Sequence, residues 1–250
     1  FIRLGETAAQ TGLQMYLAVF IGGVMGKTIS EAGYGQSYLS FLAIGWIGGG
    51  LIGLPLSSFY AWNRQLFQPG EYEMMITTGT KPYTYLLGRS LFDLVNQLLN
   101  TLIALGIALL FGLSFSPDAK FGPAVLGALL GMLAMGGLGL CSAGVSNYLR
   151  AWAGWEPVNI FVSLLGPILA GLYFPPEILP RWLQGIGYAL PPTWVYRILR
   201  KSILQGVGWG RLAADLTGLC VVTLVYVMIG RKVLDTSIEV GKRKGHMLPW

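Results

Sequence analysis

Charge is what this sequence has least of. Asp, Glu, Lys and Arg make up 11% of its 250 residues, against about 25% in an average soluble domain. With 54% hydrophobic residues and a mean hydropathy of +0.59, the chain cannot offer water a polar surface on every side. Its expected solvent is therefore the bilayer. Histidine is nearly absent. His246 in the C-terminal tail is the single one, which excludes a histidine base or a multi-histidine metal site inside the membrane. The two cysteines, Cys141 and Cys220, each lie within an apolar run. They read as small core residues and exclude a disulfide framework or a cysteine metal site. A cleavable leader is not expected from the first residues either. FIRLGETAAQ has no basic region leading into a short apolar core, and the missing initiator Met points to processing or trimming at the N-terminus.

A nucleotide site is also lacking, although IGGVMGKTIS at residues 21–30 resembles one. A phosphate-cradling loop needs Gly, four residues and then Gly-Lys-Ser/Thr, so that successive backbone N–H groups curl around the phosphate. Counting back from Gly26, the required glycine falls on Ile21. The approach, LQMYLAVFIGGVMG, is an apolar helix pattern and not a strand. Nucleic acid is no better supported. The net charge of +6 is scattered along the chain, with no basic stripe alternating with stacking aromatics.

What the sequence has in abundance is apolar runs of spanning length. They fall at Leu13–Ile29, Leu39–Phe59, Leu91–Leu113, Gly122–Val145, Val158–Phe174 and Leu212–Ile229. About 20 residues cross the hydrocarbon core, so an all-α membrane protein with six spans is expected. A single transmembrane domain covers residues 1–250 in this reading. Glycine, at 36 residues, suits close helix packing in lipid. In the fourth span Gly127, Gly131, Met135 and Gly139 recur at four-residue steps, which predicts a seam for another backbone. Basic residues set the orientation. With the N-terminus inside, the inner segments hold Arg3, Arg64, Lys81, Arg89, Arg150, Arg231, Lys232, Lys242, Arg243 and Lys244. The short outer loops hold Lys27 and Lys120. Both termini, including the basic tail 231–250, are therefore expected in the cytoplasm, and the protein in the plasma or inner membrane.

The connection at about 175–210 is too aromatic for a solvated loop and too rich in proline for a spanning helix. Pro180 can open one short helix through Tyr188, and Pro192 another through Leu204. Trp182, Tyr188, Trp194 and Tyr196 would then lie at headgroup level. Two readings stand side by side: an aromatic belt, or two helices dipping back into the outer leaflet to cap a pathway.

Residues 171–200 resemble the signature of the ABC type-2 permeases, the membrane subunits of ATP-binding-cassette exporters. The matching residues are Gly171, Phe174-Pro175, Leu179-Pro180, Trp182, Pro191, Thr193-Trp194 and Leu199-Arg200. A second stretch, RQLFQPGEYEMMITTGTKPYTYLLGRSL, is similar to the family's inner coupling segment, with Glu73, Thr78, Pro82, Leu87, Gly88 and Arg89 in the corresponding places. The resemblance runs over nearly the whole chain. It implies that two permeases, either two copies or this chain and a paralogue, pair around a route. Each would dock on one of two cytoplasmic ATPase subunits. This chain would bind no cofactor itself, and ATP with Mg would belong to the partner. Movement of the ATPases would enter through the coupling segment, about 68–82, and specifically through Glu71, Tyr72, Glu73, Met74, Met75, Thr77 and Thr78. The residues suit that role: Pro69-Gly70 breaks the chain, Glu71 and Glu73 favour a helix N-terminus, and Met74, Met75 and Ile76 form an apolar face that fits a partner's groove. The alternative is a helix lying on the inner membrane surface. Phe174, Pro175, Pro180, Trp182, Pro191 and Trp194 become the candidate external gate.

Polar residues inside spans face protein or water. Asp93, Asn96, Gln97 and Asn100 fall on one helical face, either as a hydrogen-bond ladder at a subunit interface or as pathway lining. Glu156 and Asn159 form a similar stripe at the entry of the fifth span, where Glu156 either gates or snorkels to the inner interface. Arg89 with Asp93, and Arg211 with Asp215, are expected i,i+4 ion pairs. A membrane-embedded enzyme would need a catalytic set that the sequence lacks, since Asp93 and Asp215 each have a nearby Arg. A secondary transporter would be expected to show internal repeats or matched interrupted spans. The stretch ETAAQTGLQMYLAVF lacks the aromatic, basic entry helix usual in polysaccharide-exporting relatives. A drug- or lipid-like amphipathic substrate is therefore favoured over a polysaccharide or other glycoconjugate.

Overall fold

The computed structural model describes residues 2–31, 37–66, 77–80, 82–149 and 157–243. Their long elements are α1 (Ile2–Glu31), α2 (Tyr38–Leu66), α3 (Pro82–Leu110), α4 (Phe121–Leu149), the shorter α5 (Pro157–Leu169) and α8 (Trp209–Arg243). Between the last two lie a 3-10 turn at Pro176–Ile178 and two short helices, α6 (Arg181–Ala189) and α7 (Pro191–Ile203). No strand occurs among the described residues. The chain is an all-α protein whose helices α2, α3, α4 and α8 contain stretches long and apolar enough to cross a membrane. Each of the six predicted spans falls on a helix, and four of those helices meet the length and apolarity of a membrane crossing. The described part of α5, at 13 residues, covers about 20 Å at 1.5 Å per residue.

Proline and glycine explain the helix ends. Sequence periodicity extends the fifth span to Phe174, whereas α5 stops at Leu169. Gly171 takes a left-handed φ of +77°, and the Leu172 N–H reaches back to the Pro167 carbonyl at 2.8 Å. Gly112 closes α3 in the same manner, with φ +98° and the Leu113 N–H donating to the Ala108 carbonyl at 2.9 Å. Both are glycine C-caps of the Schellman type.

Helix directions can be read from the contacts. A Cβ on Gly122 would lie 3.0 Å from the Trp209 ring, one on Gly137 2.6 Å from the Tyr226 backbone, and one on Gly144 2.9 Å from the Leu234 nitrogen. Helices α4 and α8 are therefore parallel and almost in backbone contact along their length. Helix α2 runs parallel to α4, since Ile52 lies by Gly131, and Pro55 and Phe59 lie by Gly136 and Gly139. Helix α3 is antiparallel to α2, with Asp93 beside Ser58 and Ser114 beside Ser40. Helix α1 is also antiparallel to α2, with Gly22 beside Tyr38.

The expected glycine seam on α4 does not face a single partner. Gly127 and Gly131 pack on Ile198 and Val195 of α7, while Gly139 packs on α2. At about 100° per residue, twelve residues bring the stripe round by a third of a turn. Sequence spacing also missed Gly137 and Gly144, which admit α8. Helix α4 is thus the hub, and the core gathers Ile52, Met135, Leu138, Val195, Ile198 and Leu219 around it. Cys220 lies exposed on α8 and Cys141 is half-buried, which corrects the expectation that both are core residues.

Candidate functional site

One end of the bundle collects the starts of α2, α4 and α8, the end of α3 and the whole 170–209 connection. The tie is Arg200 of α7, whose side chain is fully buried. Its Nη1 donates to the Gly171 carbonyl at 2.5 Å, its Nη2 to the Leu172 carbonyl at 2.7 Å, and its Nε to the Phe41 carbonyl at 3.2 Å. The guanidinium stacks 3.4 Å from the Phe41 ring centroid and 5.5 Å from that of Tyr196. Such a charge is tolerated because carbonyl dipoles past the C-terminal end of α5 carry negative partial charge. The planar fork reaches several acceptors at once, as an ammonium would not. Helix α2 makes room with glycine. A Cβ on Gly45 would come within 2.6 Å of Arg200 Nη2, while Gly48 and Gly49 lie against Leu199 and Tyr196.

Helices α6 and α7 form a hairpin that turns back into the bundle. At its open end the Lys120 N–H donates to the Ser202 carbonyl at 2.9 Å, level with the start of α4. Further in, Val195 of α7 packs on Gly131, ten residues past the start of α4 and about 15 Å deeper, and the corner at Leu190 lies beyond it. The corner is pinned by Thr193 Oγ1 donating to the Gly187 carbonyl at 2.5 Å, and by Trp194 Nε1 donating to the Tyr188 carbonyl at 2.9 Å. From α8, the Tyr226 hydroxyl donates to the Ala189 carbonyl at 3.1 Å. Gly187 is required here, since a Cβ would come 2.5 Å from the Leu169 carbonyl oxygen. The helix starts fall at Arg181 and Pro191, close to the positions expected from the prolines.

A family model described as ABC-2 family transporter protein matches residues 25–232, well over half of the chain. The chain belongs to that family. Among curated proteins, none matches it in sequence. It is thus the membrane subunit of an ABC transporter, a multi-pass permease that works with ATPase subunits.

The candidate gate residues of the permease are spread over this end of the bundle. Phe174 is half-buried and Pro175 buried in the turn after α5, Pro180 is exposed, and Pro191 is buried at the hairpin corner. Trp182 is 68% exposed on α6, whereas Trp194 packs against α8, where a Cβ on Gly218 would lie 2.5 Å from its ring. The α3 stripe divides. Asp93 Oδ2 accepts from Ser58 Oγ of α2 at 2.9 Å, and Gln97 Nε2 lies against Gly50. Asn100 is half-buried, and exposed Asn96 donates from Nδ2 to the Phe92 carbonyl at 3.1 Å. The expected pairing of Arg89 with Asp93 lies outside the described side chains, since that of Arg89 is not described. Asn159 Oδ1 accepts from Ser163 Oγ at 3.1 Å, while Glu156 lies outside the described residues.

Glu71, Tyr72, Glu73, Met74 and Met75 also lie outside the described residues. Thr77 and Thr78 are exposed and lead into a turn at Gly79, with the Thr78 and Thr80 hydroxyls 2.9 Å apart. The expected Arg211–Asp215 pair is replaced. Asp215 is held by α7 instead, with Lys201 Nζ at 2.7 Å and Arg197 Nη2 at 3.5 Å. Arg211 lies one turn away but is exposed, and the approach of α7 to α8 brings two other cations to the carboxylate. Arg197 also stacks on Tyr188 and Trp194, at 5.3 and 5.9 Å. Arg200 itself stands in the sequence signature as Leu199-Arg200. An arginine on an otherwise buried face of α7 was the available signal for its role.

Proposed function

We propose that the permease forms, with a second copy or a paralogue, the export route for a drug- or lipid-like amphipathic substrate, driven by ATP hydrolysis in two cytoplasmic ATPase subunits. In this reading α1 and α5 also cross the membrane, giving six spans with both termini in the cytoplasm. The alternating directions of α1, α2, α3 and α4 support that arrangement, and the basic residues of the loops support its orientation. The single observation that carries the reading, beyond family membership, is the α6–α7 hairpin. With Val195 about 15 Å below the start of α4 and the corner at Leu190 beyond it, the hairpin reaches the middle of a hydrocarbon core roughly 30 Å thick. Backbone that leaves regular helix at that depth is tolerated where protein or a pathway surrounds it. The hairpin is therefore a plug at the outer end of the route. Force would enter at the other end, through Glu71–Thr78.

Met74 and Met75 changed together to Asp test the entry point. Charge in a packed contact costs several kcal/mol, so the variant should insert normally but lose the ATPase subunit on co-purification, or retain it with hydrolysis uncoupled from export. Normal export with a normally bound ATPase would refute the assignment.

A further inference from the structure

Helix α7 opens to its surroundings along a single stripe. From Pro191 to Ser202 only Trp194, Arg197 and Lys201 are not buried, and spacings of three and four residues put them on one face. Arg197 and Lys201 keep 21% and 26% of their side-chain surface open, enough for a ligand to reach them. One carboxylate of α8, Asp215, lies between them. Lys201 Nζ takes it at 2.7 Å, and Arg197 Nη2 is left with a longer contact of 3.5 Å. Arg197 Nε has no hydrogen-bond partner among the described residues. Two rings position the guanidinium instead, with Tyr188 at 5.3 Å and Trp194 at 5.9 Å. Arg211, exposed one turn before Asp215, forms no ion pair with the described carboxylates. Three cations thus share the neighbourhood of one acid.

We infer that this stripe binds the phosphate of an anionic phospholipid in the leaflet on the Trp209 side, with an acyl chain descending beside α7 along the exposed flank of α8. An arginine fork held by two rings matches a pair of phosphate oxygens, and Lys201 and Arg211 add charge around it. Depth fits both parts of the ligand. Asp215 and Arg231 are sixteen residues apart, about 24 Å, and α8 carries no charge between them. In a core roughly 30 Å thick, both therefore lie within a few Å of its edges, where charged side chains and headgroups meet. Val221 and Val225 stand about 9 and 15 Å deeper than Asp215, inside the core, and are 60% and 46% exposed. The excess of cations selects an anionic lipid over a zwitterionic one. The inference rests on α8 crossing the membrane, and on neither the direction nor the substrate of transport.

The test uses the full permease with its ATPase subunit, reconstituted in nanodiscs of equal phosphatidylglycerol and phosphatidylcholine. Lipids retained after transfer to detergent are then counted, and phosphatidylglycerol should be enriched several-fold. Arg197→Gln should abolish the enrichment, and Arg197→Lys, which keeps charge without the fork, should reduce it. Arg211→Gln changes an exposed side chain and should also reduce it, while Lys232→Glu at the other end of α8 leaves it intact. Excess inorganic phosphate should not displace the lipid, because the acyl chain contributes to binding. A photoreactive residue at position 221 should capture acyl chains. Equal retention of the two lipids by the wild type would overturn the inference, as would unchanged enrichment in Arg197→Gln or Arg211→Gln. Displacement by inorganic phosphate alone would overturn the assignment to a lipid. Capture of a second permease copy at position 221, in place of lipid, would do the same. None of these readouts depends on export, so failure here and failure of the transport reading are separable.

Discussion

Replacing Arg200 with methionine should release the α6–α7 hairpin from the rest of the bundle. Methionine keeps most of the volume and flexibility but none of the donors. The Gly171 and Leu172 carbonyls lie beyond the end of α5, so neither regains a partner inside a helix. Each buried carbonyl left unsatisfied costs about 1–3 kcal/mol. The stack on Phe41, desolvated and 3.4 Å from the centroid, adds about 2 kcal/mol. The Phe41 carbonyl belongs to α2 and keeps its helical bond, so it is left out of the sum. The total is on the order of 5 kcal/mol, comparable with the whole stability of many domains. Arg200→Lys restores charge without the fork and should fall between the two. Thermal unfolding in detergent, followed by size-exclusion chromatography, reads the global effect. Limited proteolysis between residues 171 and 190 reads the local one. Arg200→Met with wild-type unfolding temperature and wild-type resistance in that stretch would refute the clamp.

Gly137→Leu should prevent normal packing of α4 on α8, because its first side-chain atom would already be 2.6 Å from the Tyr226 backbone; Gly106→Ala, in open space on α3, should be neutral or stabilise by up to ~1 kcal/mol. Comparing folded yields of the two variants checks this. Asp215→Asn leaves Lys201 and Arg197 facing each other without their carboxylate and should destabilise the protein. Arg211→Gln should not, and equal losses in the two would refute the reassigned pair. For topology, a single cysteine at Lys120 in a Cys141- and Cys220-free background should react with an impermeant thiol reagent from outside. One at Thr77 should react only after the inner face is opened. Labelling of both from outside would refute the orientation.

The sequence by itself determined the solvent and the element types of this protein. Scarce charge and long apolar runs leave a bilayer as the compatible surroundings, and prolines at 180 and 192 place the short helices almost where they form. The family was legible too, because its signature is local: Gly171, Phe174-Pro175 and Leu199-Arg200 are close in sequence. What it could not determine was which surfaces meet. Four-residue spacing put Gly127, Gly131 and Gly139 on one seam, whereas the drift of a helical stripe over three turns sends the last of them to a different helix. It paired Asp215 with Arg211 because i,i+4 neighbours are all that a single helix offers. Only the tertiary structure brings Lys201 and Arg197 across from α7. Arg200 shows the same division. Its identity can be read in the chain, but its acceptors come from residues 41, 171 and 172, which packing alone brings together.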